Sequence, residues 1–215
     1  MVYLFLQQIY FRLKGSIKYL PWVGKLLVLL GIYLIVEYIF ALMAVEIINA
    51  IFPGMDFLHF ITGFEKIKSV QEVTLDQEHA IKIYQFATSL GRFIFVAWFF
   101  VYLCGDNFFE SVSLNKNIQS VSYGTVILIV MASGAIISLI HDWNQHLHLP
   151  SSMAEMESQM RSLEQQAKIQ TEVFLRTTTI GGFLLNILII GLLAAVGEEI
   201  FFRGVLQNIF FRGFG

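Results

Sequence analysis

Four long apolar runs divide the chain, and they lie at about residues 26–45, 83–104, 122–140 and 177–203. Each is close to the roughly 20 apolar residues that a helix needs to cross the hydrocarbon core of a bilayer. Polar stretches separate the runs, and the runs themselves carry few charged side chains. The pattern therefore predicts an all-α, multi-pass transmembrane helical bundle with four spans.

The most polar stretch, residues 152–175, has the pattern of an amphipathic helix, because its apolar positions recur at spacings of three and four. We expect this helix outside the membrane, on its outer surface or capping the bundle; a dimerising coiled coil is less favoured. The apolar stripe consists of Met153, Met156, Met160, Leu163, Ala167, Gln170 and Phe174. Favourable i,i+4 ion pairs are expected for Glu157–Arg161, Glu164–Lys168 and Glu172–Arg176.

Three regions follow from this organisation. Residues 1–25 mix aromatic and basic side chains, as in an interfacial segment that anchors the end of a span. Residues 26–148 hold the first three spans with their loops, and residues 149–215 hold the amphipathic helix and the last span. Charged residues are 14% of the composition, against about 25% in soluble proteins, which indicates an integral membrane protein.

Charge and cysteine content exclude some functions. Basic and acidic side chains number 14 and 16, so the concentrated basic surface that nucleic-acid binding needs is not expected. The lone Cys104 excludes an intramolecular disulfide framework and a Cys-based zinc site. Lys and Arg are enriched before the first span and after the fourth, whereas the loop 46–82 is net acidic. The positive-inside rule then predicts a cytoplasmic N terminus.

Two charges inside the predicted spans are expected to pair. Glu37 lies about eight residues from the outer end of the first span, and Arg92 about nine from the outer start of the second. Both therefore lie at a similar depth, and isolated charges there would be costly. A structural clamp between helices is favoured over a catalytic role. A transporter with Glu37, Arg92 and Glu198 as a polar pathway is a weaker alternative.

Residues 197–204, with the sequence GEEIFFRG, continue the fourth apolar run without a turn signal. Glu199 and Arg203 are spaced i,i+4, with the acid first, and are expected to pair on one face. At about 100° per residue, Glu198 lies well round the helix from Arg203 and is the less neutralised carboxylate. This arrangement suits either a catalytic base beside a structural pair or a structural ion pair alone.

Small and polar residues in the fourth span suggest close helix packing. Small residues let transmembrane helices approach closely, and this helix contains Gly181, Gly182, Gly191, Ala194, Ala195, Gly197 and Gly204. Asn186 is either an interhelical hydrogen-bond donor or simply tolerated. After the third span, His141, Asp142, His146 and His148 form a conceivable metal site. Their spacing does not match two histidines on one helical turn, so a polar interfacial belt is favoured.

The run from Gly197 to Gln207 resembles the first signature, E-E-x-x-x-R, of the CAAX prenyl protease and bacteriocin-processing (CPBP, or ABI) family. That family consists of membrane-embedded endopeptidases. The resemblance implies that Glu198 activates the attacking water as a general base, while Glu199 and Arg203 hold the geometry of the site. It also implies a hydrophobic or prenylated peptide substrate, and a bacterial member located in the plasma membrane.

Two further signatures of the family, F-x-x-x-H and H-x-x-x-N/B, do not occur in these 215 residues. We therefore expect either the N-terminal part of a longer protein or a relative without activity, such as a membrane scaffold or an immunity-type protein. The family's histidines complete a water-binding or metal-binding site. A divalent metal such as zinc is conceivable for the full-length family, but no metal ligand is assignable in this chain, so its cofactor stays unknown.

Overall fold

The computed structural model describes residues 13–112, 120–147, 149–177 and 179–214, with the backbone alone at 120–123. The described residues form helices and connecting turns, and no strand occurs among them. Two helices, α3 and α7, are continuous spans that each include π-helical turns. The helices are α1 (Trp22–Ile51), α2 (Phe57–Thr62), α3 (Leu75–Cys104), α4 (Phe108–Ser111), α5 (Ser120–Gln145), α6 (Ala154–Leu175) and α7 (Ile180–Phe214).

The four predicted spans are confirmed, since α1, α3, α5 and α7 are each long and apolar enough to cross a membrane. Most of their ends lie beyond the predicted ones, but the second span ends at Cys104 as predicted and the fourth begins at Ile180 rather than at residue 177. The second span begins at Leu75 rather than near residue 83, because a capping box between Thr74 and Gln77 starts the helix within a polar stretch. The fourth continues to Phe214, since no helix-breaking residue follows the GEEIFFRG sequence.

The chain divides into two compact units. The first comprises the described parts of Met1–Leu114 and Ile169–Gly215, and the second comprises those of Asn115–Lys168. In the second unit, Arg161 pairs with Glu157 at 2.8 Å, as predicted. Glu164 accepts a hydrogen bond from Gln145, and the described residues show no ion pair between Glu164 and Lys168.

One apolar core of the first unit lies between α1, the second half of α3 and the second half of α7. The segment Val96–Cys104 of α3 is buried almost throughout. On α7 the buried apolar residues recur at helical spacing and form one face. That face consists of Ile200, Phe201, Val205 and Ile209.

A second core of the first unit lies beneath the α1–α3 connection and includes the end of α6. Ile169 and Val173, one helical turn apart, are the buried residues of α6 there. The predicted stripe differs from this face, since Met153, Met156, Met160 and Leu163 are between 40% and 64% exposed. The last turns of α6 thus cap this core, and contact of the stripe with a membrane surface stays a prediction.

The predicted pair of Glu37 and Arg92 joins α1 to α3. Arg92 donates from Nε to Glu37 Oε2 at 2.8 Å and from Nη2 to Glu37 Oε1, which is a bidentate ion pair. A π-helical turn, Leu90–Phe95, contains Arg92. Gly91 packs against the Phe40 ring, where a Cβ atom would lie 2.4 Å from the ring carbon Cγ. The close approach lets the two helices bring their charges together.

The prediction that Glu172 pairs with Arg176 is wrong, because Arg176 belongs to a buried ion network instead. Arg176 Nε binds Glu78 Oε2 at 2.7 Å, and Lys82 Nζ binds Glu78 Oε1 at 2.8 Å. Arg176 also donates to the carbonyls of Val70 and Val73, and Lys82 to that of Arg176. Residues far apart in sequence outcompete the local acid, because Glu78 is buried and needs both cations.

Removing one member of the Glu37–Arg92 pair is expected to leave an unpaired charge between α1 and α3. We predict that Glu37→Gln and Arg92→Gln each destabilise the protein. The stability lost in the double variant should be smaller than the sum of the two single losses. Thermal unfolding in detergent should give a coupling energy of roughly 0.5–3 kcal/mol. Additive losses would contradict a direct interaction, and Arg161→Gln in the exposed pair is the control.

Glu78→Gln is expected to destabilise the protein by about 3–5 kcal/mol, because Lys82 would stay buried without a carboxylate. Glu172→Gln carries the same chemical change at an exposed position and should alter stability by less than about 0.5 kcal/mol. Both are measured by denaturant unfolding in detergent. A larger effect at Glu172 would instead support the local pairing with Arg176.

Candidate active site

The two carboxylates and the guanidinium of the GEEIFFRG sequence lie in the middle of α7. Glu198 is the nineteenth of the 35 residues from Ile180 to Phe214, so the sequence lies inside the helix and not at its end. A π-helical segment, Glu199–Leu206, begins directly after Glu198. Such turns are rare in helices and frequently occur at functional sites.

These charged side chains all lie on the exposed part of the α7 surface. Glu198, Glu199 and Arg203 are exposed, whereas their neighbours Gly197 and Ile200 are buried. The buried residues face the core formed with α1 and α3. The charged side therefore points away from the described helices of the first unit. In a span, ionisable groups on such a surface are costly unless water or protein meets them, so they indicate function.

The pairing within this set is the one expected from helical spacing. Arg203 Nη1 lies 2.5 Å from Glu199 Oε1, and both side chains are more than half exposed. The described residues provide no hydrogen bond or ion pair to the Glu198 carboxylate. One acid is thus neutralised by a fixed cation, and the adjacent acid stays available to another group.

Two glycines place the charged side of α7. A Cβ atom at Gly197 would lie 2.9 Å from Phe93 Cβ, and one at Gly204 would lie 2.5 Å from Val112 Cγ1. Gly181 and Gly191 have nothing within 4 Å of that position. The predicted close approach therefore holds at Gly197 and Gly204, whereas Gly181 and Gly191 face open space and Gly182 packs against Thr177 and Thr179 just before its own helix.

Aromatic contacts link the Glu37–Arg92 pair to the charged side of α7, and the sequence alone does not reveal them. The ring of Phe201 packs edge-on against Phe93 at 6.1 Å and lies 5.9 Å from Tyr33. The Arg92 guanidinium lies 5.9 Å from the Phe93 ring centroid. Phe93 thus contacts both the clamp and the helix turn that carries Glu198. The unusual aromatic content was a signal of such packing, but no spacing rule selects these pairs.

Asn186, near the start of α7, bonds to a different helix. Its Nδ2 donates to the Leu175 carbonyl at 3.3 Å, which satisfies a backbone acceptor at the end of α6. Of the two alternatives for Asn186, this confirms the interhelical hydrogen-bond donor. Its buried Oδ1 has no partner among the described residues. Asn186 lies three helical turns before Glu198 and is not part of the charged set.

No metal centre forms among the described residues, which contain no group of three or more His, Cys, Asp or Glu side chains. His146 Nδ1 lies 2.6 Å from the Asp142 carbonyl, and His148 lies outside the described residues. Glu198 and Glu199 could offer two carboxylates, one of them already paired. A catalytic zinc takes three protein ligands, so these residues do not by themselves fit one.

The family model described as "Type II CAAX prenyl endopeptidase Rce1-like" matches residues 180–215. The match is consistent with a CPBP family member and confirms the resemblance at the helix that carries Glu198, Glu199 and Arg203. The four apolar helices indicate an integral membrane protein. The family match is confined to residues 180–215, so the similarity to CAAX prenyl endopeptidases lies in the last of these helices. Neither a search of curated proteins nor one of solved structures finds a match.

Substituting the two packed glycines is expected to displace α7. Gly197→Ala and Gly204→Ala should each cost about 1–3 kcal/mol of stability, because the new methyl overlaps Phe93 or Val112. Gly191→Ala, where the space is open, should be neutral or slightly stabilising. Thermal unfolding of the three variants in one detergent checks this. Equal effects at all three positions would contradict the described packing.

Proposed function

We propose that this protein is a membrane-embedded endopeptidase of the CAAX protease type, in which Glu198 activates water for peptide-bond hydrolysis. The observation that carries the proposal is the contrast between two adjacent acids. Glu199 is bound to Arg203, and Glu198 has no partner among the described residues. Both lie in the helix that matches the family model.

The contrast divides the chemical roles. A general base must keep its carboxylate free to accept a proton from water within hydrogen-bond reach. The Glu198 carboxylate is free in this sense. Glu199 could accept a proton only by giving up its ion pair with Arg203, so Glu199 and Arg203 act as positioning groups. Their ion pair spans one turn of the π-helical segment and holds the turn next to Glu198 in place.

The surface beyond Arg203 offers a place for an apolar substrate. A concave region of about 500 Å³ is lined by Phe202, Leu206, Gln207, Phe210, Phe211 and Phe214. Its walls are mainly apolar, and Phe202, which lines it, lies four residues after Glu198 on α7. Such a surface favours a hydrophobic or prenylated peptide over a polar one.

The proposed location is a bacterial plasma membrane, with the N terminus in the cytoplasm. The start of α1 and the end of α7 meet, since the rings of Trp22 and Phe214 are 4.9 Å apart. Lys18 and Lys25 near α1 and Arg212 near the end of α7 therefore lie at the same end of the first unit. Both basic flanks used for the orientation then fall on one side, as the positive-inside rule requires.

The family's two histidine signatures do not occur in these 215 residues, so roles are proposed for Glu198, Glu199 and Arg203 alone. The test uses the natural full-length protein product. An inactive wild-type product would favour the membrane scaffold or immunity-type alternative, in which Glu198, Glu199 and Arg203 only stabilise the bundle.

Glu198→Gln is expected to lower the rate of peptide cleavage by about 10²–10⁴-fold, because the amide cannot accept the proton from water. The assay follows hydrolysis of a farnesylated peptide by the purified product in proteoliposomes. Glu155→Gln, at an exposed acid of α6, makes the same chemical change and should leave the rate unaltered. Cleavage at the wild-type rate by the Glu198 variant would refute the assigned base.

A further inference from the structure

A cavity at one end of the first unit lies on the other side of α7 from Glu198. It has a volume of about 280 Å³, roughly nine water molecules at about 30 Å³ each. It is formed where α1 begins and where α3 and α7 end. Apolar side chains make most of its wall. Its polar and aromatic lining includes Trp22, Lys25, Asp106, Asn208 and Arg212.

Lys25 is the unusual member of this lining. It is partly buried, and its Nζ has no hydrogen-bond or ion-pair acceptor within the described part of the chain. Asp106 is already bound by Arg212, at 3.1 Å between Oδ2 and Nη2. The Asn208 amide donates to the Ser111 and Gly204 carbonyls. The three charges that line the cavity, two positive and one negative, leave one excess positive charge.

The buried cations at the opposite end of the unit show what a completed site looks like here. Lys82 and Arg176 line another cavity, and both bind Glu78 and backbone carbonyls. Every cation there has its acceptor within the protein. Lys25 has no acceptor in the part of the chain that the structure describes, although it is partly withdrawn from water, and an external anion binds favourably under that condition.

We propose that this cavity binds the phosphate of an anionic phospholipid, with the Lys25 ammonium as the main donor. The cavity lies at the ends of three helices that are long enough to span a membrane, so it opens at the level of the lipid headgroups. Trp22, an aromatic typical of that level, lines it.

The size of the cavity decides which part of the lipid enters. It holds a headgroup but not acyl chains, which would extend along the apolar surface of α1, where Leu27 and Leu30 are more than half exposed. A free phosphate would gain the ammonium contact alone. The lipid also gains apolar burial, so the two sources of phosphate can be separated by competition.

Native mass spectrometry of the full chain, purified in a non-ionic detergent, tests the proposal. With phosphatidylglycerol and phosphatidylcholine added in equal amounts, the wild-type protein should retain one phosphatidylglycerol in preference. Lys25→Gln should weaken that binding about tenfold, because one charge-assisted hydrogen bond is lost. Lys18→Gln removes an exposed charge from the same end and should change it less than about twofold.

Three results would overturn the proposal. The first is equal retention of the two lipids by the wild-type protein, which needs no variant to fold. The second is an equal effect of Lys25→Gln and Lys18→Gln. The third is displacement of the lipid by millimolar inorganic phosphate, which would identify a soluble anion as the occupant. Lys25→Arg, which retains a cation, should keep the preference and shows whether loss of charge is the cause.

Discussion

The ion pair of Glu37 and Arg92 is the contact on which the arrangement of the spans depends. Neither charge is tolerated alone between apolar helices, so α1 and α3 must meet where the two residues face each other. Arg92 lies against Phe93, and Phe93 is the residue on which Gly197 packs. The position of Glu198, one residue further along α7, therefore follows from a charge pair on two other helices.

This arrangement explains why one side of α7 is buried against its neighbours while the side with Glu198, Glu199 and Arg203 is exposed. Glycine at positions 197 and 204 brings α7 close to Phe93 and Val112, which turns Glu198, Glu199 and Arg203 outwards. The same rotation places Gly204 and Val205 in the wall of the cavity that contains Lys25. Two surfaces with different chemistry thus lie on opposite sides of one helix: a pair of acids with an apolar groove, and an enclosed cation.

Some local pairs were predictable from sequence, and so was the distant pair that membrane energetics demands. Glu199 with Arg203 follows from i,i+4 spacing, and Glu37 with Arg92 follows from the cost of unpaired charges. Arg176 was assigned to its local partner, Glu172, and binds Glu78 instead. Spacing rules compare neighbours only, and they do not weigh a buried acid 98 residues away.

By itself, the sequence determined the four spans, the choice of Glu198 and Glu199 as candidate site residues, and the resemblance to the CAAX protease kind. Each of these depends on residues close together in the chain, where hydropathy and helical period decide. The tertiary structure alone decided that Gly197 and Gly204, rather than Gly191, are contact positions. It also decided that Lys25 lines a cavity and has no acceptor among the described residues. Those properties depend on how far each helix is rotated, which is set by packing between spans and not by any one of them.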